Sequence, residues 1–131
     1  MKPVMKLDEA QKWIGDEGKY RRTFGLLFDP VVTPTAKMAC GTSTLPPGNE
    51  QPGVSHHNEG EEIYFILSGK GDFLLDDDWF EVESGSVIYV APGAGHRCKN
   101  TGNEDLVMFW VNCPSVLGAT LELMKSWEKI D

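Results

Sequence analysis

From Gly69 to Asn112 the chain is cut into short apolar runs by glycine and aspartate turns at a spacing of about ten residues. That punctuation leaves little room for helices and predicts an all-β sandwich or barrel. Gly71–Leu75, Trp79–Val82, Val87–Val90 and Leu106–Asn112 read as strands, separated by Asp76-Asp77-Asp78, Ser84-Gly85 and Thr101-Gly102-Asn103. Before them, Arg21–Phe28 stops at Asp29-Pro30, and Lys37–Leu45 stops at Pro46-Pro47-Gly48. Outside this core, about residues 20–113, two helices are predicted. Leu7–Ile14 reads as a short one with Asp8 at its N-cap. Residues 116–129 carry Leu117, Leu121, Met124 and Trp127 at near-helical spacing, as an amphipathic helix would. The 131 residues make one domain with one core.

The three histidines fall in two segments of this frame. His56 and His57 precede Glu62 and the apolar run Ile63–Leu67, while His96 follows the loop Pro92–Gly95. Imidazole and carboxylate are ligands that suit divalent iron, nickel, copper and zinc. The two segments are therefore expected to meet and hold one metal ion. Tyr64 shares the strand parity of Glu62 and would present its hydroxyl to the same cavity, as a candidate catalytic group or as a core tyrosine bonded elsewhere. Cys98 shares the parity of His96 and reads as a small buried side chain.

Both segments resemble the signature motifs of the cupin family. The first, G-x5-H-x-H followed by three or four residues and E-x6-G, is matched by His57, Glu62 and Gly69. The second, G-x5-P-x-G-x2-H-x3-N, is matched by Gly85, Gly93, His96 and Asn100, with Ala91 where proline is usual. The resemblance spans roughly residues 35–112. It implies a double-stranded β-helix, the jelly-roll barrel, with a metal held by His57, Glu62 and His96 near its mouth. One departure matters: Ser55 stands where the family's first histidine would be, one residue late. Either the site has three protein ligands, or a bulge turns His56 inward as a fourth. Bulges re-aim side chains next to functional sites, whereas strict alternation puts His56 on the opposite face from His57.

Other chemistries are poorly served. Twenty acidic against twelve basic residues give a net charge of −8, which argues against a nucleic-acid partner. No apolar run approaches the roughly 20 residues of a membrane span. The start MKPVMKLDEA has no signal-like apolar region, and the three cysteines have no C-x-x-C spacing, so a cytoplasmic protein with reduced thiols is expected. There is no G-x-S-x-G elbow, phosphate-binding P-loop or zinc-ribbon spacing. Ser55 and His57 lack an orienting acid and an oxyanion hole. Asp76-Asp77-Asp78 lacks the glycine and distal glutamate of an EF-hand and reads as a hairpin turn. Arg21, Arg22, Lys37 and Arg97 are candidates to pair with a substrate carboxylate or phosphate, but each reads first as a surface residue.

The resemblance implies either of two functions. One is a metal-dependent enzyme acting on a small organic carboxylate or sugar-like substrate, such as a dioxygenase, lyase or isomerase. Iron is the first choice of metal, an oxidoreductase setting, with manganese, nickel, zinc or copper as alternatives. The other is a non-enzymatic module that binds a small molecule or metal. A cavity lined only by apolar side chains such as Tyr64, Ile66, Met38 and Trp110 would favour the binder. Strands Arg21–Phe28 and Leu106–Asn112 are apolar on both parities, and a barrel wall has one inward face. A homodimer is expected to cover the second.

Overall fold

A computed structural model describes residues 2–30, 37–53, 60–115, 121–122 and 124–130. Among the described residues ten antiparallel strands form two sheets: β1 (Gln11–Gly15), β2 (Arg22–Phe28), β3 (Ala39–Leu45), β4 (Glu61–Ser68), β5 (Lys70–Leu75), β6 (Asp78–Glu83), β7 (Val87–Val90), β8 (His96–Asn100), β9 (Leu106–Cys113) and β10 (Glu128–Ile130). The larger sheet has the order β10-β1-β2-β3-β9-β4-β7 and the smaller β6-β5-β8. Between them lies one core, including Tyr64, Ile66, Phe73, Cys98, Met108 and Trp110. The all-β jelly-roll expectation agrees with this architecture.

Alternation sets what faces the core. Glu62, Tyr64 and Ile66 of β4 are buried, while Glu61, Ile63 and Phe65 between them are exposed. His96, Cys98 and Asn100 of β8 point inward in the same way, as do Leu106, Met108, Trp110 and Asn112 of β9. A pleated strand puts successive side chains on opposite faces, so the period of two alone delivers these residues to the interior. Gly69, which ends β4, has a φ of +86°, and a Cβ there would lie 2.5 Å from the Asp105 carbonyl oxygen. Only glycine serves where the chain crosses from one sheet to the other.

Both predicted helices require correction. Leu7–Glu9 is a single 3₁₀ turn whose N-cap position is Lys6, not Asp8, and no side chain caps it. The chain then enters β1, pairing with β2 through Trp13↔Phe24 and its neighbours. Edge hydrogen bonds and the Trp13–Phe24 ring contact, 6.2 Å between centroids, outweigh a helix of barely two turns. At the other end, residues 116–120 lie outside the described residues, and only Leu121 and Glu122 of the described ones are helical. Trp127 closes a turn by donating its N–H to the Met124 carbonyl, and Glu128–Ile130 pairs with β1. Trp127 sits so close over Gly15 that any side chain there would collide with it, and the Arg22 guanidinium lies 4.8 Å from its ring. The apolar spacing therefore reflects a capped sheet end. Among the described residues no helix is long and apolar enough to cross a membrane.

Candidate functional site

His96 begins β8, and its Cα pairs with Leu75 at the end of β5. Glu62, near the start of β4, pairs with Val90 and Asn112. The two side chains come from different sheets and meet inside the barrel, with His96 Nε2 3.5 Å from Glu62 Oε1. Both are almost fully buried, at 2% and 4% exposure. The Tyr64 hydroxyl lies 3.4 Å from the same nitrogen. An imidazole, a carboxylate and a phenol thus converge on one buried point. Burying such groups together is costly unless they serve each other or a ligand. A nitrogen and an oxygen donor directed at one point suit a divalent transition metal.

The surroundings hold the imidazole still. Phe73 stacks on His96, with ring planes 5° apart and centroids 6.3 Å apart, and Tyr64 tilts against Phe73 at 5.2 Å. Burial, and after it the charge of Glu62, pushes the Tyr64 phenol well above its ordinary value, so it stays a protonated donor. His56 and His57 lie outside the described residues. Among the described residues no three histidine, cysteine or acidic side chains cluster as a metal site. The structure therefore brings together Glu62, Tyr64 and His96 of the residues singled out from the sequence.

Other residues singled out from the sequence lie away from this point. Met38 is 49% exposed, whereas Tyr64, Ile66 and Trp110 are buried. Arg22 pairs with Asp16, and Arg97 lies 5.2 Å from the Trp79 ring and beside Glu50, so both are engaged outside the barrel. A groove of about 390 Å³ opens between the edges of β6 and β7, reaching Phe73, but Glu62, Tyr64 and His96 do not line it. Two supports of β8 escaped the sequence reading. Gln51 holds one side, its Oε1 accepting from Cys98 N at 2.9 Å and its N–H donating to Cys98 O at 3.0 Å. Asp76 holds the His96 end, through contacts with Gly95. Neither shows in a local pattern, because each joins segments distant in sequence.

Cys98 is fully buried opposite Phe73, and burial pushes its thiol up from an ordinary 9.0 to about 12. It should therefore resist iodoacetamide at pH 8, since the thiolate is the nucleophile. Burial also raises Cys40. Mass spectrometry of the folded protein should find Cys98 unmodified, and its rapid labelling would show an open barrel. The sign also sets an alkaline limit. The unfolded thiol ionises near 9 while the folded one stays protonated, so its stabilising contribution falls as pH rises from about 9 towards 12.

Comparison with known proteins gives the fold a family. The family model described as "Cupin domain" matches residues 41–112. A glucose-6-phosphate isomerase of Thermococcus gammatolerans is 31% identical over 125 residues, covering 79% of this chain and 65% of that protein. An oxalate-binding protein of Thermotoga maritima is 43% identical over 63 residues, covering 47% of this chain and 50% of that protein. The chain thus spans less than two thirds of either relative's length. Among solved structures, a predicted oxalate decarboxylase from Thermotoga maritima superposes with a TM-score of 0.76 at 25% identity, over 86% of this chain and 99% of that one.

Proposed function

The chain belongs to the cupin domain family, and on that premise we propose that it is a metal-dependent enzyme acting on a small, oxygen-rich anion, an organic carboxylate or a sugar phosphate. The observation that carries this reading is the convergence of Glu62, His96 and Tyr64 on one buried point. Glu62 and His96 would hold the metal together with His57, and with His56 if a bulge turns it inward. Iron(II) is the first choice for this donor set, with manganese, nickel, zinc or copper as alternatives. Such an ion supplies a Lewis acid for substrate oxygens. The chain's own part is to hold the imidazole against Phe73, keep bulk water out and offer the protonated Tyr64 hydroxyl as a hydrogen-bond donor.

The names of the relatives support the substrate class: glucose 6-phosphate and oxalate are both small anions dense in oxygen. The relative named as a binding protein also favours a second reading, in which the same site holds its ligand without turnover. Calorimetric titration of metal-loaded protein with oxalate and with glucose 6-phosphate, followed by product analysis, tests both. Binding that disappears in Glu62→Ala, with product formed, is the expected result. Binding without product selects the second reading, and no binding of either anion removes the proposed substrate class.

We propose further that two copies associate through the outer face of β4, β7 and β9. Ile63 pairs with Tyr89 and Phe65 with Val87 across β4 and β7, and all four are exposed. Val111 and Phe109 continue the same face on β9. A contiguous apolar sheet face of this kind marks an interaction surface. Sedimentation equilibrium at micromolar concentration should give twice the 14.5 kDa chain mass, and Phe65→Glu should return it to one chain. A single-chain mass for the unmutated protein rejects the dimer.

A further inference from the structure

We propose that Asp76 is a positioning residue for His96: its carboxylate takes over a hydrogen bond that the β5–β8 ladder would otherwise lose and so fixes the backbone from which the imidazole projects. The inference rests on the metal reading of Glu62 and His96. The regular ladder between β5 and β8 ends at the pair Leu75↔His96. One step further, Asp76 and Gly95 face each other. In an antiparallel hydrogen-bonded pair, two residues exchange both N–H···O bonds. Here the first is ordinary, with Asp76 N–H donating to Gly95 O at 2.7 Å. The second is not, because Gly95 N–H donates to the side-chain Oδ1 of Asp76 at 2.9 Å. The cause is local: at Asp76 the chain turns left-handed, φ +53°, to enter the β5–β6 hairpin. Its own carbonyl leaves the ladder, and the carboxylate replaces it.

The residue type fits both demands. Aspartate and asparagine tolerate the left-handed region better than other residues with a side chain, because their short polar groups bond locally. Here the bond reaches across to the loop instead. The same loop carries a turn, Ala94 N–H to Ala91 O at 3.1 Å, with Gly93 at φ +80°. Without Oδ1, the peptide between Ala94 and Gly95 would lose its anchor, and the backbone leading into His96, whose ring Glu62 and Tyr64 must meet, would be tied only by the Asp76 N–H to Gly95 O. Groups that orient a ligand from behind are typically worth about 10–100-fold in metal affinity.

The experiment compares two substitutions. Asp76→Asn keeps both the acceptor oxygen and the tolerance for positive φ; Asp76→Gly keeps only the backbone freedom. Cobalt(II) affinity and its d–d absorption are measured for each, alongside Asp77→Gly as a control in the same turn and His96→Ala as a ligand control. Hydrogen exchange of the Gly95 amide is followed without metal. Expected are wild-type affinity and spectrum for Asp76→Asn and Asp77→Gly, about tenfold weaker binding with an altered spectrum for Asp76→Gly, and loss of Gly95 amide protection in Asp76→Gly alone. Wild-type binding by Asp76→Gly, or equal loss in Asp76→Asn and Asp76→Gly, overturns the proposal while leaving the metal site standing. Cobalt binding that His96→Ala does not weaken overturns the metal reading instead, and the positioning role with it.

Discussion

His96→Ala and Glu62→Ala should each weaken metal binding by more than about 100-fold, beyond the range typical of residues that only orient a ligand. Each removes one donor from a point where a nitrogen and an oxygen lie 3.5 Å apart in the barrel interior, and among the described residues no third histidine, cysteine or acidic side chain joins them. Glu61, next in sequence, points outward and accepts a hydrogen bond from Tyr89 at 2.8 Å. Metal content by mass spectrometry, read beside the melting temperature of the metal-free protein, separates lost ligation from lost folding. His57→Ala should match the other two if the sequence motif assigns it correctly. His56→Ala then decides the coordination number: reduced occupancy supports the inward bulge, and unchanged occupancy leaves three protein ligands. Full metal content in both His96→Ala and Glu62→Ala would move the metal away from this point altogether.

Much of this arrangement was legible in the chain because it depends on a local rule. A strand period of two puts Glu62, Tyr64 and Ile66 on one face, and the same rule carries His96, Cys98 and Asn100 inward on β8. Turns marked by Asp76-Asp77 and by Ser84-Gly85 fall between strands as their composition predicts. The terminal elements were not legible. β1 and β10 are five and three residues long, and their pairing joins opposite ends of the sequence. No window of the chain contains that contact, so the apolar residues around Trp127 looked helical. Asp76 was read correctly as a turn residue, yet its contact with Gly95 was invisible for the same reason. Local periodicity predicts which face a residue occupies; it does not predict which distant backbone group will need its oxygen.

Asn100→Ala should cost about 3 kcal/mol or more, because the Asn100 side chain fills three backbone valences at once. It is 4% exposed, and its Nδ2 donates to Leu45 O and to Glu104 O, both at 2.8 Å, while its Oδ1 accepts from Gly102 N at 2.9 Å. Its main-chain N–H donates to Asn49 O at 2.9 Å. One residue thereby ties the end of β3, the β8–β9 turn and the loop that leads towards His57. Alanine leaves two carbonyls and an amide with no partner in a site too enclosed for easy repair, and a drop in melting temperature of roughly 10 °C is expected. Asn100→Asp is the sharper test. It keeps the acceptor for Gly102 but sets a carboxylate against two carbonyl oxygens that need donors. The folded state then favours the protonated acid, which can donate one of the two lost bonds. Stability of Asn100→Asp should therefore rise as pH falls, where Asn100→Ala shows no such recovery. A melting temperature for Asn100→Ala within a degree or two of the unmutated protein would show that water satisfies these groups, and that the asparagine closing the second motif is not what joins the two halves of the site.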